Sequence, residues 1–93
     1  MLEKYIEKKL IAAVKRIDGI AFKFTAPGIN GVPDRLVLLP NGKIAFVEIK
    51  APGRKMRPQQ VRRKRQLEEL GFSVYCLDGV EQIGGMIDEI QST

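Results

Sequence analysis

From Leu2 to Ile17 the apolar residues Leu2, Ile6, Leu10, Ala13, Val14 and Ile17 recur every three or four positions, the period of an amphipathic helix, and Gly19 follows as a stop. The period then shortens to two. Ile20, Phe22 and Phe24 alternate with Ala21, Lys23 and Thr25, which predicts a strand, and the Gly- and Pro-punctuated stretch from Ala26 to Pro33 reads as a loop. Asp34 to Leu39 and Lys43 to Lys50 are two further β-rich runs on either side of Pro40, Asn41 and Gly42, a hairpin signal. The second run is apolar on both faces and belongs in the middle of a sheet. Pro58 suits the first position of a helix and Gly71 the residue after its end, giving about three turns whose inward arc is marked by Val61, Leu67 and Leu70, with Gln60 at its centre. Phe72 to Leu77 is a fourth strand. Asp78 with Glu81 resembles a capping box opening a last helix that carries Val80, Ile83, Met86, Ile87 and Ile90. The order αβββαβα, with one hairpin and one helical crossover, implies an α/β fold: a mixed four-stranded sheet flanked by helices.

The 93 residues fit a single domain, 1–93, without room for a second core. A lone cysteine, Cys76, excludes an internal disulfide and a cysteine-rich zinc knuckle, and the absence of histidine excludes serine–histidine, cysteine–histidine and zinc-hydrolase chemistry. No run approaches the ~20 apolar residues of a membrane span, and residues 1–9 lack the apolar stretch of a signal peptide, so an intracellular, cytoplasmic protein is expected. The net charge is +5, yet seven of the sixteen basic residues lie between Arg54 and Arg65, a segment with no acid, and the rest of the chain sums to −2. A mildly acidic body with one cationic segment suits a phosphate-bearing partner, because contacted phosphates release counterions; a solvated basic helix is the plainer reading.

Without histidine, the tools left for hydrolysis are carboxylates, a hard divalent metal and lysine. Glu48 and Lys50 end the central strand on one face, Cα atoms about 6.7 Å apart, following Ile44 and Phe46 from packed core to charged pair. Asp34 joins them only in one hairpin register. A two-residue loop turns it away, whereas a three-residue loop of Pro40, Asn41 and Gly42 places it opposite Glu48 and pairs Leu36 with Phe46 and Leu38 with Ile44. The turn chemistry favours the latter, with proline and asparagine as the two central residues of a type I turn and glycine as the left-handed residue closing the loop. Two opposed carboxylates call for a cation between them, and Mg2+ is held in this way; a surface aspartate beside a Glu48–Lys50 ion pair is the alternative. On the first helix, Glu3 falls closer to the apolar arc than Glu7; that both are solvent-facing partners of Lys4, Lys8 and Lys9 is the alternative. In the basic helix, Gln60 points at the sheet, where a buried amide needs partners; Lys64 lies near it and Arg62 and Arg65 face out.

Gly31-Val32-Pro33-Asp34-Arg35, then Glu48-Ile49-Lys50 followed by Ala51-Pro52-Gly53, and Gln60 downstream together resemble the VRR-NUC (virus-type replication-repair nuclease) family of the PD-(D/E)xK superfamily, over essentially the whole chain. The resemblance implies a restriction-endonuclease-like fold. It implies that Asp34 and Glu48 bind Mg2+ or Mn2+ with the main-chain carbonyl of Ile49, that Lys50 is the catalytic lysine, that Gln60 supports the site, and that Glu3 or Glu7 supplies a further acid. The activity it implies is an endonuclease hydrolysing DNA phosphodiesters with a metal-activated water. Small relatives, often phage-encoded, work as homodimers on four-way junctions, which leads to the expectation of a Holliday-junction resolvase-like enzyme in a bacterial or phage-infected cell. Arg54, Lys55, Arg57 and Lys64 are the expected DNA contacts, and the first helix near Tyr5 or the last near Met86 the expected dimer surface. The competing reading is a non-catalytic, or flap- or single-strand-directed, module acting as a monomer.

Overall fold

The computed structural model describes residues 2–93; Met1 lies outside the described residues. The elements follow the expected order: α1 (Leu2–Arg16), β1 (Ile20–Lys23), β2 (Arg35–Leu39), β3 (Lys43–Ile49), α2 (Pro58–Glu69), β4 (Val74–Leu77) and α3 (Ile83–Gln91), with single 3-10 turns at Pro40–Gly42 and Val80–Gln82. The sheet order is β1-β2-β3-β4, the first three strands antiparallel and β4 parallel to β3, so α2 is the crossover helix and β3 is central.

The hairpin takes the three-residue loop. Leu39 faces Lys43, Leu38 faces Ile44, and Leu36 faces Phe46. Its backbone departs from the expected type I turn, since Asn41 as well as Gly42 is left-handed, with φ of 70° and 73°. Asparagine tolerates that conformation better than most non-glycine residues. A similar exchange ends α1, where Asp18, not Gly19, takes the positive φ of 65°. Gly19 is needed for space: a Cβ there would lie 2.7 Å from the Leu38 carbonyl oxygen.

Ile6, Leu10 and Val14 of α1 and Ile83, Met86, Ile87 and Ile90 of α3 bury themselves against the sheet face formed by Val37, Leu39, Ala45, Val47, Ile49 and Leu77. Spacings of three and four on the helices and two on the strands bring these positions together. The deepest core therefore lies behind Glu48; of the two residues expected to lead from packed core to the charged pair, Phe46 is buried as expected and Ile44 is corrected to exposed. Their face is only partly covered: Phe46 is buried between the edge-on rings of Phe24 and Phe72, at 5.3 and 6.0 Å, while Ile20, Phe22 and Ile44 remain exposed. The inward arc assigned to α2 is corrected as well. Val61 and Leu70 are exposed, Leu67 is half-buried, and Gln60 is the one buried residue of that helix, which packs against the edge strand β4. Met86 itself is buried in the core, while Gly84, Gly85, Asp88 and Glu89 of the same helix are exposed. The turn before α3 is closed by Gln82, not Glu81: its Oε1 accepts the N–H groups of Asp78 and Gly79, and its Nε2 donates to Asp78 Oδ1.

Candidate active site

The β2–β3 ladder ends at Arg35 opposite Val47, so continuing the register brings Asp34 beside Glu48 where the paired strands stop. Asp34 is fixed at both ends. Its carbonyl accepts the Phe24 N–H at 2.8 Å, and its Oδ2 accepts the Ile49 N–H at 2.8 Å. Glu48 pairs with Cys76 of β4, and the Lys50 N–H donates to the Leu77 carbonyl at 2.8 Å, so both sides of the central strand are held up to the site.

Glu48 is 2% exposed. One oxygen, Oε2, receives Gln60 Nε2 at 2.6 Å and lies 3.6 Å from Lys50 Nζ; the other, Oε1, is buried without a hydrogen-bond partner. Burial, reinforced by the charge of Asp34, pushes the Glu48 carboxyl up to about 7, while Lys50 and Arg57 pull less strongly the other way. Gln60 is held from its other end, since its Oε1 accepts the Arg57 N–H at 2.8 Å. Its two contacts fix the amide orientation, donor toward the carboxylate and acceptor toward the backbone. The polar residue at the centre of the α2 arc thus caps the helix and orients Glu48 together.

An orphaned, buried carboxylate oxygen next to a second carboxylate is a group short of a positive partner. Among the described residues no three of His, Cys, Asp and Glu converge, so the protein offers two carboxylates. A hard, oxygen-seeking Mg2+ or Mn2+ suits that set, since such ions take one or two carboxylates and complete their shell with water, main-chain carbonyl and substrate phosphate.

Glu7 is occupied by Arg35, whose Nε donates to Glu7 Oε2 at 2.8 Å and whose guanidinium also reaches the Ala21 carbonyl at 3.1 Å. Glu3, one turn earlier, stands exposed where two clefts meet. The first, about 550 Å3, runs between the start of α1 and the loop after β1 and has Asp34 and Ile49 in its wall. The second, about 450 Å3, is bounded by Lys50, Ala51, Arg54, Lys55 and Arg57. Arg54, Lys55 and Arg57 therefore gather with the site residues, but Lys64 does not: its Nζ pairs with Glu68 at 2.9 Å on the same helix. Arg62 and Arg65 are exposed, as their wheel positions predict.

Two contributors were not foreseen. Arg35 shares the core-facing side of β2 with Val37 and Leu39, and a cation on that side needs a carboxylate, which was the available signal for the Glu7 pair. Gly31 has φ of 79°, and a Cβ there would lie 2.5 Å from the Gln59 carbonyl oxygen, so the loop before Asp34 closes directly onto the first turn of α2. Arg63 ties the same loop through the Asn30 carbonyl at 3.1 Å.

No family model matches the chain. It is 58% identical over 76 residues, 82% of either chain, to the provisionally named nuclease p44 of Acyrthosiphon pisum secondary endosymbiont phage 1. A solved structure described as a VRR_NUC domain superposes with a TM-score of 0.89 at 29% identity, covering 95% of this chain and 96% of that one. Fold, motif spacing and this identity lead to one assignment: the chain belongs to the VRR-NUC family.

Proposed function

We propose that this nuclease is a Mg2+- or Mn2+-dependent DNA endonuclease that hydrolyses phosphodiesters at the Asp34–Glu48–Lys50 cluster. The observation that carries the proposal is the buried, unpartnered Oε1 of Glu48 beside a second carboxylate and a lysine. Asp34, Glu48 and the Ile49 carbonyl would hold the ion, which when bound supplies Lewis acidity at the phosphate and lowers the pKa of the attacking water. Gln60 keeps the Glu48 carboxylate oriented. The Lys50 ammonium is placed to stabilise negative charge developing on the phosphate, and Arg54, Lys55 and Arg57 to receive the flanking DNA backbone. Glu3, between the clefts, is the acid of the first helix available to join the site.

The preferred substrate is branched DNA, a four-way junction cut by a homodimer. Paired incisions in a two-fold junction need two sites related by a two-fold axis, and each chain carries one. The test incubates four-way, flap, single-stranded and linear duplex DNA with the protein in Mg2+, Mn2+ or EDTA, maps the cuts by strand, and follows mass by analytical ultracentrifugation. Metal-dependent paired cuts by a dimer support the full reading. A monomer that nicks flaps or single strands overturns the junction assignment alone, and absence of metal-dependent cleavage on every substrate overturns the endonuclease.

A further inference from the structure

The two clefts that meet at Glu3 differ in chemistry. The smaller gathers Lys50, Arg54, Lys55 and Arg57 against Glu3, an excess of positive charge suited to phosphate. The larger has Phe24, Pro27, Ile29 and Val32 in its walls, and its charges are close to balanced: Lys4 and Lys23 stand against Glu3 and Asp34, and Glu7 is neutralised by Arg35. A near-neutral, partly apolar cleft sharing Asp34 and Ile49 with the site is poorly matched to a phosphate and well matched to a neutral, planar group attached to one.

We infer that this larger cleft receives the unpaired nucleobase of the nucleotide next to the scissile phosphate, so that a base released from its complement on one side of the cut is part of what the enzyme recognises. The inference rests on the nuclease reading and specifies its substrate. The volume, about 550 Å3, lies within the ~300–1,000 Å3 of small-ligand sites and accommodates a base with its sugar. The walls are held in place. The Phe24 ring is set edge-on to Phe46 at 5.3 Å, and the loop turns at Pro27 and Gly28 through a hydrogen bond from the Ile29 N–H to the Ala26 carbonyl at 3.0 Å. That turn leaves Ile29 50% exposed at the cleft wall. Every base has an apolar face that such walls can cover, so the contact is tolerant of sequence and sensitive to pairing.

The experiment places a single abasic nucleotide immediately 5′ or 3′ of a mapped cleavage position and measures kcat/KM for the unmodified protein and for Ile29→Ser. Ile29 is half exposed on a loop, and thermal melting checks that the variant folds. The expected result is a loss of about tenfold or more for the abasic substrate on one side only, since removing a stacked base forfeits that much. Ile29→Ser is expected to cut the intact substrate more slowly and to be nearly indifferent to the missing base, because both changes remove the same contact. Cleavage that tolerates the abasic nucleotide on both sides, or an abasic penalty undiminished in Ile29→Ser, overturns the inference and leaves the nuclease reading standing. Failure to cut any intact DNA in Mg2+ or Mn2+ overturns that reading and the inference with it.

Discussion

Glu48 concentrates the electrostatic cost of the site in one side chain. In the unfolded chain its carboxyl titrates near 4.5, and in the folded protein near 7, because burial and Asp34 disfavour the anion. The folded state therefore holds the proton more tightly. The metal-free protein has this group's full stabilising contribution below pH 4.5, loses it as the pH rises to about 7, and changes little above that. The loss is on the order of 3 kcal/mol. Glu48→Gln has no such titration, so denaturant unfolding in EDTA is expected to show the unmodified protein losing stability relative to the variant between pH 5 and pH 8; parallel profiles would remove the assigned cause. Asp34 separates charge from hydrogen bonding. Asp34→Asn keeps an oxygen that can accept the Ile49 N–H and removes the repulsion on Glu48, so the metal-free protein should be as stable or more stable while cleavage is abolished. Asp34→Ala leaves that N–H without its acceptor and should cost about 1–3 kcal/mol. Unfolding curves beside a cleavage assay check both, and cleavage by Asp34→Asn at the unmodified rate would defeat its assignment as a metal ligand.

Among the elements, α2 depends most on a few contacts. It has no fully buried apolar side chain, Leu67 being half-buried, so its position relies heavily on Gln60 reaching Glu48, on the Arg63–Asn30 contact, and on the approach of its first turn to Gly31. Gly31→Ala meets a carbonyl oxygen at 2.5 Å and a positive φ together. It should destabilise the fold by at least about 1 kcal/mol and lower cleavage beyond what stability accounts for, because α2 moves and Gln60 leaves Glu48. Gln60→Ala should share the activity loss without the backbone strain, and normal cleavage by folded Gly31→Ala would show that the loop does not position the helix. The hairpin was legible because register follows from local turn chemistry and the pairing of Leu36 with Phe46. The burial of Gln60 was legible from its place on the wheel. The seating of α2 was not, since it is set by a glycine 29 positions before Gln60 in the sequence and by polar contacts where an apolar arc was expected. The Arg35–Glu7 pair, 28 residues apart, was hidden for the same reason.

For the whole molecule, the decisive quantity is where charge lies on a body of 32 × 31 × 22 Å. The basic segment, one block in the sequence, is divided by the fold. Arg54, Lys55 and Arg57 line the cleft with Lys50, Lys64 is neutralised by Glu68, and Arg62 and Arg65 project into solvent. On the proposed reading, a phosphate backbone entering the site passes the first set. Binding measured by fluorescence anisotropy over a series of salt concentrations, with Ca2+ replacing Mg2+ to suppress cleavage, should separate the sets. Removing one cation that neutralises a phosphate lowers the slope of log affinity against log salt by ~0.9 on duplex and ~0.7 on single strands, so replacing Arg54, Lys55 and Arg57 by alanine should flatten it by about 2 to 3. Replacing Arg62 and Arg65 should weaken binding modestly and change the slope by less than the share of a single phosphate. Lys64→Ala should change it least, because its ammonium already has a carboxylate partner. Equal flattening by the two arginine sets would mean that DNA lies across the outer face of α2, and the cleft between Lys50 and Arg57 would lose its assignment as the backbone track.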